Sequence, residues 1–414
     1  MKRSMVLART LWILLSVLLL CSRGSSQLTW YWMDDQYAIS PGYAPRVLHL
    51  ESGGWADGYH CWYAISSSGG YDIYHALSMD GVKWLAPWGG NLPVLRRGSP
   101  GDFDAVWAVD PCVVVRDSQL VIYYNGFDGK NYQTGVAFSR DGIQWTKYAG
   151  NPVLRVGTGW DSIVAVPREV IQNPPGSQWR FTMYYVGYDN VVWRTGIAFS
   201  DDGLSWTRYA NNPVLDVGPP GSWDEYGASP NTIVIDRGMY YMFYQTRKPS
   251  SLGIATSTDG VNWTKYIHNP ILQPPIEGTS LGWGSMLLEN GMLRYWFSLE
   301  YGSWGICYAV SPWNPDPITG VADPVSPRHA MVCEAYPNPF NPSTTIRYEV
   351  PESGEVRLSV HDMLGREVSL LVNERVEAGT YEVKFDGSGY ASGVYFCRLT
   401  AGSLAQIRKL LLLR

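Results

Sequence analysis

Apolar residues in this chain alternate with polar ones over short runs instead of recurring at helical spacing, and the runs come in sets. Between residues 111 and 149 four follow one another: PCVVVRD (111–117), QLVIYYNG (119–126), QTGVAFSRD (133–141) and IQWTKYA (143–149). Short β-branched and aromatic runs divided by Gly, Asn and Asp predict strands. Asp141-Gly142 divides the third run from the fourth. Such a pair suits a two-residue hairpin turn, because glycine accepts positive φ at no steric cost.

The set recurs. GVAFSRDGIQWTKYAGNPVL, beginning at Gly135, returns as GIAFSDDGLSWTRYANNPVLDVG from Gly196 and GIATSTDGVNWTKYIHNPIL from Gly253. A looser copy, HALSMDGVKWLAPWGGNLPVL, begins at His75. The Asp-Gly-x-x-Trp marker falls at Asp80, Asp141, Asp202 and Asp259, a period of about sixty residues. That period predicts one small antiparallel sheet per repeat, stacked or arranged radially. A fifth copy, GMLRYWFSLEYGSWGICYAVSPW (291–313), supplies a second and third strand and then meets prolines. The aromatic run LTWYWM (28–33) stands before the first repeat with no partner. If it completes the last sheet, the ring closes and leaves no exposed edge. The expectation is all-β: a five-bladed β-propeller over 27–313, a Pro-rich linker over 314–332 and a small Ig-like β-sandwich over 333–414.

Composition narrows the partners. A net charge of -5, with Lys and Arg scattered, gives no electrostatic case for nucleic acid or an anionic membrane. The chain has 19 Trp, 28 Tyr and 43 Gly. This mixture suits aromatic strands joined by tight turns, and exposed rings would suit the faces of sugars. At the N-terminus Lys2, Arg3 and Arg9 precede the apolar run LWILLSVLLLC (11–21) and then SRGSSQ. That order predicts a signal peptide over residues 1–26. The run is short for a membrane span, so none is expected after its removal. Leu20 before Cys21, where a small residue would be needed, argues against lipidation. The remaining cysteines, Cys61, Cys112, Cys307, Cys333 and Cys397, are odd in number and widely spaced. They give neither a disulfide framework nor zinc spacing and read as buried small apolar residues.

With the Ser-x-Asp-Gly-x-x-Trp marker followed by Asn-Pro, residues 28–313 resemble the propeller enzymes of the arabinanase, invertase and β-mannoside phosphorylase group. Sialidases carry an extra residue between Asp and Gly, which all four copies here lack. The tail resembles the type A C-terminal sorting domain of the type IX secretion system. It carries YPNPFNP (336–342), MLGREV (363–368), EAGTY (377–381) and ASGVYF (391–396), and a basic-apolar ending around Lys409. The first resemblance implies a carbohydrate substrate. The second implies handling by the type IX machinery and delivery across an outer membrane to the cell surface or the medium.

Site candidates are sought where the repeats differ. Phe103-Asp104, Trp160-Asp161 and Trp223-Asp224 recur before successive repeats, and recurring carboxylates read as caps. Asp110 in AVDPCVV and Glu169 in VPREVI are singular acids on successive inner strands. Counted from Asp104 and Asp161 they share a face; counted from Pro111 and Pro167 they lie on opposite faces. A bulge would reconcile the counts. Glycoside cleavage needs one protonated acid and one ionised partner. In the resembled enzymes a base lies on the first blade, a pKa-setting Asp on the second and an acid Glu on the third. By blade and residue type Glu169 takes the third role and Asp110 the second. The proline-aligned residue of the first blade is Ala44; an insertion would let Asp34 or Asp35 upstream act as the base, and they equally fit as counterparts of the recurring Asp104. Arg168, Asn231 and Arg46 complete the candidate site as substrate-binding residues. Two further readings remain open: a non-catalytic glycan binder, and a phosphorylase-like transferase using Arg168 and Arg46. GTSLG (278–282) mimics a nucleophile elbow without a strand-turn-helix context. The six histidines show no paired spacing. No cofactor is expected; carboxylates and carbonyls around a funnel would suffice for a structural calcium ion, although no loop spells one.

Overall fold

The structure is a computed structural model. It describes residues 28, 30–32, 38–51, 55–67, 69–85, 92–247, 250–274, 279–301, 303–313, 315, 318, 332–350, 352–363, 365–401 and 404–413. Residues 1–26, expected to form a signal peptide, and Asp34 and Asp35 lie outside the described residues. The strands fall into consecutive antiparallel units. The first comprises β2 (Tyr43–Leu50), β3 (Gly58–Ser67) and β4 (Gly70–Ser78). The second comprises β5 (Trp107–Arg116), β6 (Gln119–Phe127), β7 (Tyr132–Ser139) and the short β8 (Thr146–Lys147). The third runs from β9 (Val164–Gln172) through β10 (Phe181–Tyr188) and β11 (Trp193–Ser200) to β12 (Thr207–Arg208). The fourth runs from β13 (Ser229–Asp236) through β14 (Met239–Arg247) and β15 (Ser250–Ser257) to β16 (Thr264–Lys265).

The last unit joins the two ends of this region. It contains β17 (Ser280–Glu289), β18 (Met292–Tyr301) and β19 (Ser303–Pro312). Its fourth strand is β1 (Tyr31–Trp32), with Tyr31 opposite Val310 and Trp32 opposite Ala309. The first strands of the units touch in the order β2, β5, β9, β13 and β17, and β17 returns to β2. They therefore surround a common axis.

Each repeat marker builds a loop by the same hydrogen bonds. Ser139 Oγ donates to Asp141 Oδ1 at 2.9 Å and accepts from the Gly142 amide at 2.8 Å. Asp141 Oδ1 also accepts from the amides of Ile143 and Gln144. Ser78-Asp80, Ser200-Asp202 and Ser257-Asp259 repeat the pattern. Gly142 has φ of 77°, as the marker requires, but the two-residue hairpin expected there is not formed. Phe138 pairs with Thr146, so residues 139–145 make a wider loop and the fourth strand is reduced to Thr146–Lys147. Side-chain caps satisfy the loop amides that a tight turn would have paired.

The loop glycine then locks to the preceding unit. Trp62 Nε1 donates to the Gly142 carbonyl at 2.9 Å, Tyr123 Oη to that of Gly203 at 3.0 Å, and Tyr184 Oη to that of Gly260 at 2.8 Å. Trp296 Nε1 in the last unit donates to Gly81 in the first at 2.6 Å, closing the series. The recurring acids are structural, as their recurrence suggested. Asp104 accepts from Tyr124 and Lys147, Asp161 from Tyr185 and Arg208, and Asp224 from Tyr244 and Lys265. Each buried carboxylate is thus paired with a cation and a phenol, which removes the cost of burying it alone.

The C-terminal region is a two-sheet sandwich with its own core of Ile346, Leu358, Phe385 and Leu399. Its strands are β20 (Val332–Tyr336), β21 (Ser343–Val350), β22 (Gly354–His361), β23 (Glu367–Val376), β24 (Gly379–Asp386), β25 (Gly393–Ala401) and β26 (Leu404–Leu412). Cys61, Cys112, Cys333 and Cys397 are buried, and the last two bring their sulfurs to 3.8 Å.

The loop aspartates make stability depend on acid. Partial burial raises each carboxyl, but amide and serine donors outweigh it and hold Asp202 at about 2. Asp80, Asp141 and Asp259 are lowered for the same reason. Because the folded values lie below the ordinary ~3.9 for Asp, this contribution is complete above that value and disappears as pH falls through the lowered range. Urea midpoints should therefore fall between about pH 4 and about pH 2. Replacing all four aspartates by Asn, which keeps the acceptor oxygen, should flatten that fall; an unchanged acid dependence would refute the assignment.

Candidate functional site

The inner strands are irregular where they reach the axis. Pairing shifts register between Tyr43 and Arg46, Val109 and Cys112, Pro230 and Thr232, and Leu281 and Gly284, and opposite Tyr184/Tyr185 in β9. Pro45, Pro111, Pro167 and Pro230 lie within or beside these shifts, and a residue lacking an N–H cannot continue the ladder. A bulge re-aims side chains. Ala44 and Asp110 take left-handed φ of 49° and 53° there.

The re-aimed residues meet. Asp110 Oδ1 lies 3.4 Å from Arg168 Nη1, and its Oδ2 accepts from Asn125 at 2.9 Å. The Arg168 guanidinium lies 4.1 Å from the ring centre of Trp283. Burial lowers the pKa of Arg168, with Asp110 opposing the shift. Burial raises the pKa of the Tyr43 phenol well above its ordinary range, and Asp110 adds to the shift. Three buried polar atoms here make no hydrogen bond: Asp110 Oδ1, Asn125 Oδ1 and Arg168 Nε. Around them half-buried rings cluster at the same strand ends. Trp107 contacts Tyr71, Phe127 and Tyr132, while Tyr43 meets Trp304 edge-on at 4.9 Å.

Glu169 belongs to a different layer. It pairs opposite Tyr184, whereas the equivalent aromatic donors Trp62, Tyr123 and Trp296 pair opposite Arg46, Cys112 and Ser285. Its counterpart in the second unit is therefore Cys112, not Asp110. The count from the prolines separates the two acids as the register does; the count from Asp104 and Asp161 passes over the bulges. Both Glu169 oxygens are engaged by Arg46, at 2.8 and 2.6 Å. Thr232 donates to Oε2 at 3.1 Å, and Arg46 Nε reaches the Val113 carbonyl at 3.3 Å. This cross-axis pair ties together strands from four units. Among the described residues, no hydrogen bond or ion pair joins Glu169 to Asp110.

The other expected residues divide between the two layers. Arg168 stands with Asp110, and Arg46 stands with Glu169. Asn231 is taken up by the framework: its Oδ1 accepts from the Gly284 amide at 2.8 Å, and its Nδ2 donates to Tyr295 Oη at 3.0 Å. Ala44 is buried, with its amide donating to Ser298 Oγ at 2.7 Å. Trp283 and Arg247 were not foreseen. The fifth copy lacks the bulge proline that marked the others, and Arg247 follows its strand like any solvated charge. Among the described residues, no group of three or more His, Cys, Asp or Glu is arranged to hold a metal ion.

Solved structures share the larger region. A thermostable family-43 glycoside hydrolase matches with a TM-score of 0.55 and 18% identity, over 70% of this chain and 95% of its own. A family 117 glycoside hydrolase from Zobellia galactanivorans matches with a TM-score of 0.53 and 14% identity, over 70% and 94%. The fold is that of propeller glycoside hydrolases. Among curated proteins, a fructan 1-exohydrolase of Triticum urartu is 27% identical over 177 residues, which is 40% of this chain and 28% of that protein. The chain thus matches little more than a quarter of that relative's length. Residues 334–413 match the secretion system C-terminal sorting domain. That domain directs export by the type IX system to the cell surface or the medium. Among the described residues no helix is long and apolar enough to cross a membrane.

The axial ion pair has a direct test. Glu169→Ala leaves Arg46 buried without its partner and should cost about 3–5 kcal/mol in urea denaturation. The double variant Arg46→Met/Glu169→Leu should recover most of that loss. A Glu169→Ala variant within about 0.5 kcal/mol of the parent would show that the pair holds nothing together.

Proposed function

We propose that this is an exported carbohydrate-recognition protein, in which a five-bladed propeller over 27–313 binds a glycan at the axial end marked by Asp110, Arg168 and Trp283. A linker over 314–332 would connect it to the sorting domain over 333–414. One observation carries the reading: buried polar atoms without hydrogen-bond partners converge inside a collar of half-buried aromatic rings. Polar groups aimed inward and flat apolar faces at the rim are the requirements of a sugar, whose hydroxyls and ring faces need both.

In this reading the propeller binds without cleaving. Acid/base hydrolysis needs two carboxyl groups presented to the bond. Glu169 has both oxygens engaged by Arg46, and Ala44 occupies the first-unit position aligned with Asp110. The phosphorylase reading loses Arg46 for the same reason, since its fork is already used. A second reading, hydrolysis with Asp34 or Asp35 as base, is favoured by the buried Asp110, whose Oδ1 is ion-paired with Arg168 but accepts no hydrogen bond.

Affinity electrophoresis of the full chain through a panel of polysaccharides, with a reducing-end assay in parallel, distinguishes these readings. Retardation without release of reducing ends is expected. Trp107→Ala should weaken binding by about 2 kcal/mol, the scale of an interface hot spot. Release of reducing ends that disappears in Asp110→Asn would replace binding by hydrolysis. Retardation unaffected by Trp107→Ala would place the glycan elsewhere.

A further inference from the structure

The charge at the axial end bears on which carbohydrate would enter, an inference that rests on the reading above. Arg247, at the end of β14, is exposed and lies 4.4 Å from the ring centre of Trp193 and 5.2 Å from that of Trp283. Trp193 is itself stacked on Tyr188 at 4.2 Å. The guanidinium carbon thus lies within cation–π range of two indole rings, and its N–H donors remain to be offered to a ligand. Among the described residues no hydrogen bond or ion pair engages that guanidinium. Arg168 shares Trp283, and its Nε is buried without a hydrogen-bond partner.

Among the described residues no acid pairs with Arg247, and the acids of this region hold other partners. Asp110 faces Arg168 alone and is also held by Asn125. Asp72 accepts from Ser67 and from the Arg97 amide. Asp128 caps the amides of Lys130 and Asn131, and Asp189 pairs with Arg194. Two guanidinium groups thus lie over one indole, and among the described residues Asp110 is the one carboxylate ion-paired to either of them.

We propose that the axial end takes an acidic glycan, one bearing carboxylate or sulfate groups, with Arg247 and Arg168 as its anion contacts. A guanidinium is itself a planar fork of N–H donors, the geometry that carboxylate and sulfate oxygens accept in parallel. Neutral glycans would offer the Arg247 donors only hydroxyl acceptors, without the gain of a charge-assisted pair.

The full chain is compared by affinity electrophoresis in polygalacturonate, dextran sulfate and neutral dextran. The first two separate carboxylate from sulfate as the recognised group. Retardation is expected in at least one acidic gel and not in dextran. It should weaken as salt is raised and fall about tenfold or more with Arg247→Gln. Arg247 is exposed, so that variant is expected to fold, and an unchanged urea midpoint confirms it. Dextran retarding the protein as strongly as either acidic polymer would overturn the inference while leaving carbohydrate recognition intact. So would acidic binding indifferent to Arg247→Gln. Failure of all three polymers to retard the protein would overturn this inference and count against the glycan reading beneath it.

Discussion

The fold depends on one contact made four times: an aromatic N–H or O–H in one unit donating to the loop glycine carbonyl of the next. A small antiparallel sheet with both faces apolar cannot stand alone in water. Stacking the sheets about an axis buries those faces, but hydrophobic burial has no direction and would tolerate sliding. The donor supplies the direction. It originates beside the inner strand and ends on a backbone atom whose position is set by Ser, Asp and a glycine at positive φ. The first four units are thereby fixed in rotation each against the next, and Trp296 applies the same constraint between last and first. Arg294 reinforces that seam, donating to Tyr308, Tyr59 and the carbonyl of Asp80.

Once the units are fixed, the inner strands have nowhere to place regular pairing. Five strands converging on an axis crowd one another, and prolines and bulges relieve the crowding by turning individual residues inward. Two layers result. The deeper one is filled by Arg46, Glu169 and Thr232, a set of mutual partners that closes the axis. The nearer one holds Asp110, Arg168 and Trp283, whose polar atoms are incompletely paired. Buried charge that satisfies itself is framework; buried charge left partly open is where a ligand has something to gain.

Much of this was legible in the sequence because repetition multiplies weak signals. A single Asp-Gly-x-x-Trp predicts a turn, and four at a common spacing predict an architecture. LTWYWM could be assigned to the last unit only because the count of strands came out one short. The candidate site was less legible for the same reason: it lies where repetition stops. Asp110 and Glu169 are both singular acids on inner strands, and only the register opposite Tyr123 and Tyr184 shows that they occupy different positions. Arg247 and Trp283 carry no motif at all. What gives them meaning is their approach to within 5.2 Å, guanidinium carbon to ring centre, across the seam between the fourth and fifth units.

The sorting domain fits the same polarity. Phe396 joins the core formed by Met292, Trp296 and Tyr308 and meets Tyr31 edge-on at 4.9 Å, while Arg398 donates to the Asn290 carbonyl at 2.9 Å. These contacts fall at the beginning of β18 and on β1. The aromatic collar lies at the other end of the strands, where Trp304 pairs opposite Glu300. A ten-residue strand spans roughly 33 Å at about 3.3 Å per residue, enough to separate the domain from the collar by the full depth of the propeller. Attachment through the tail would therefore leave the arginine-bearing end facing outward. A glycan large enough to reach both guanidinium groups would then meet no obstruction from the domain that delivers the protein.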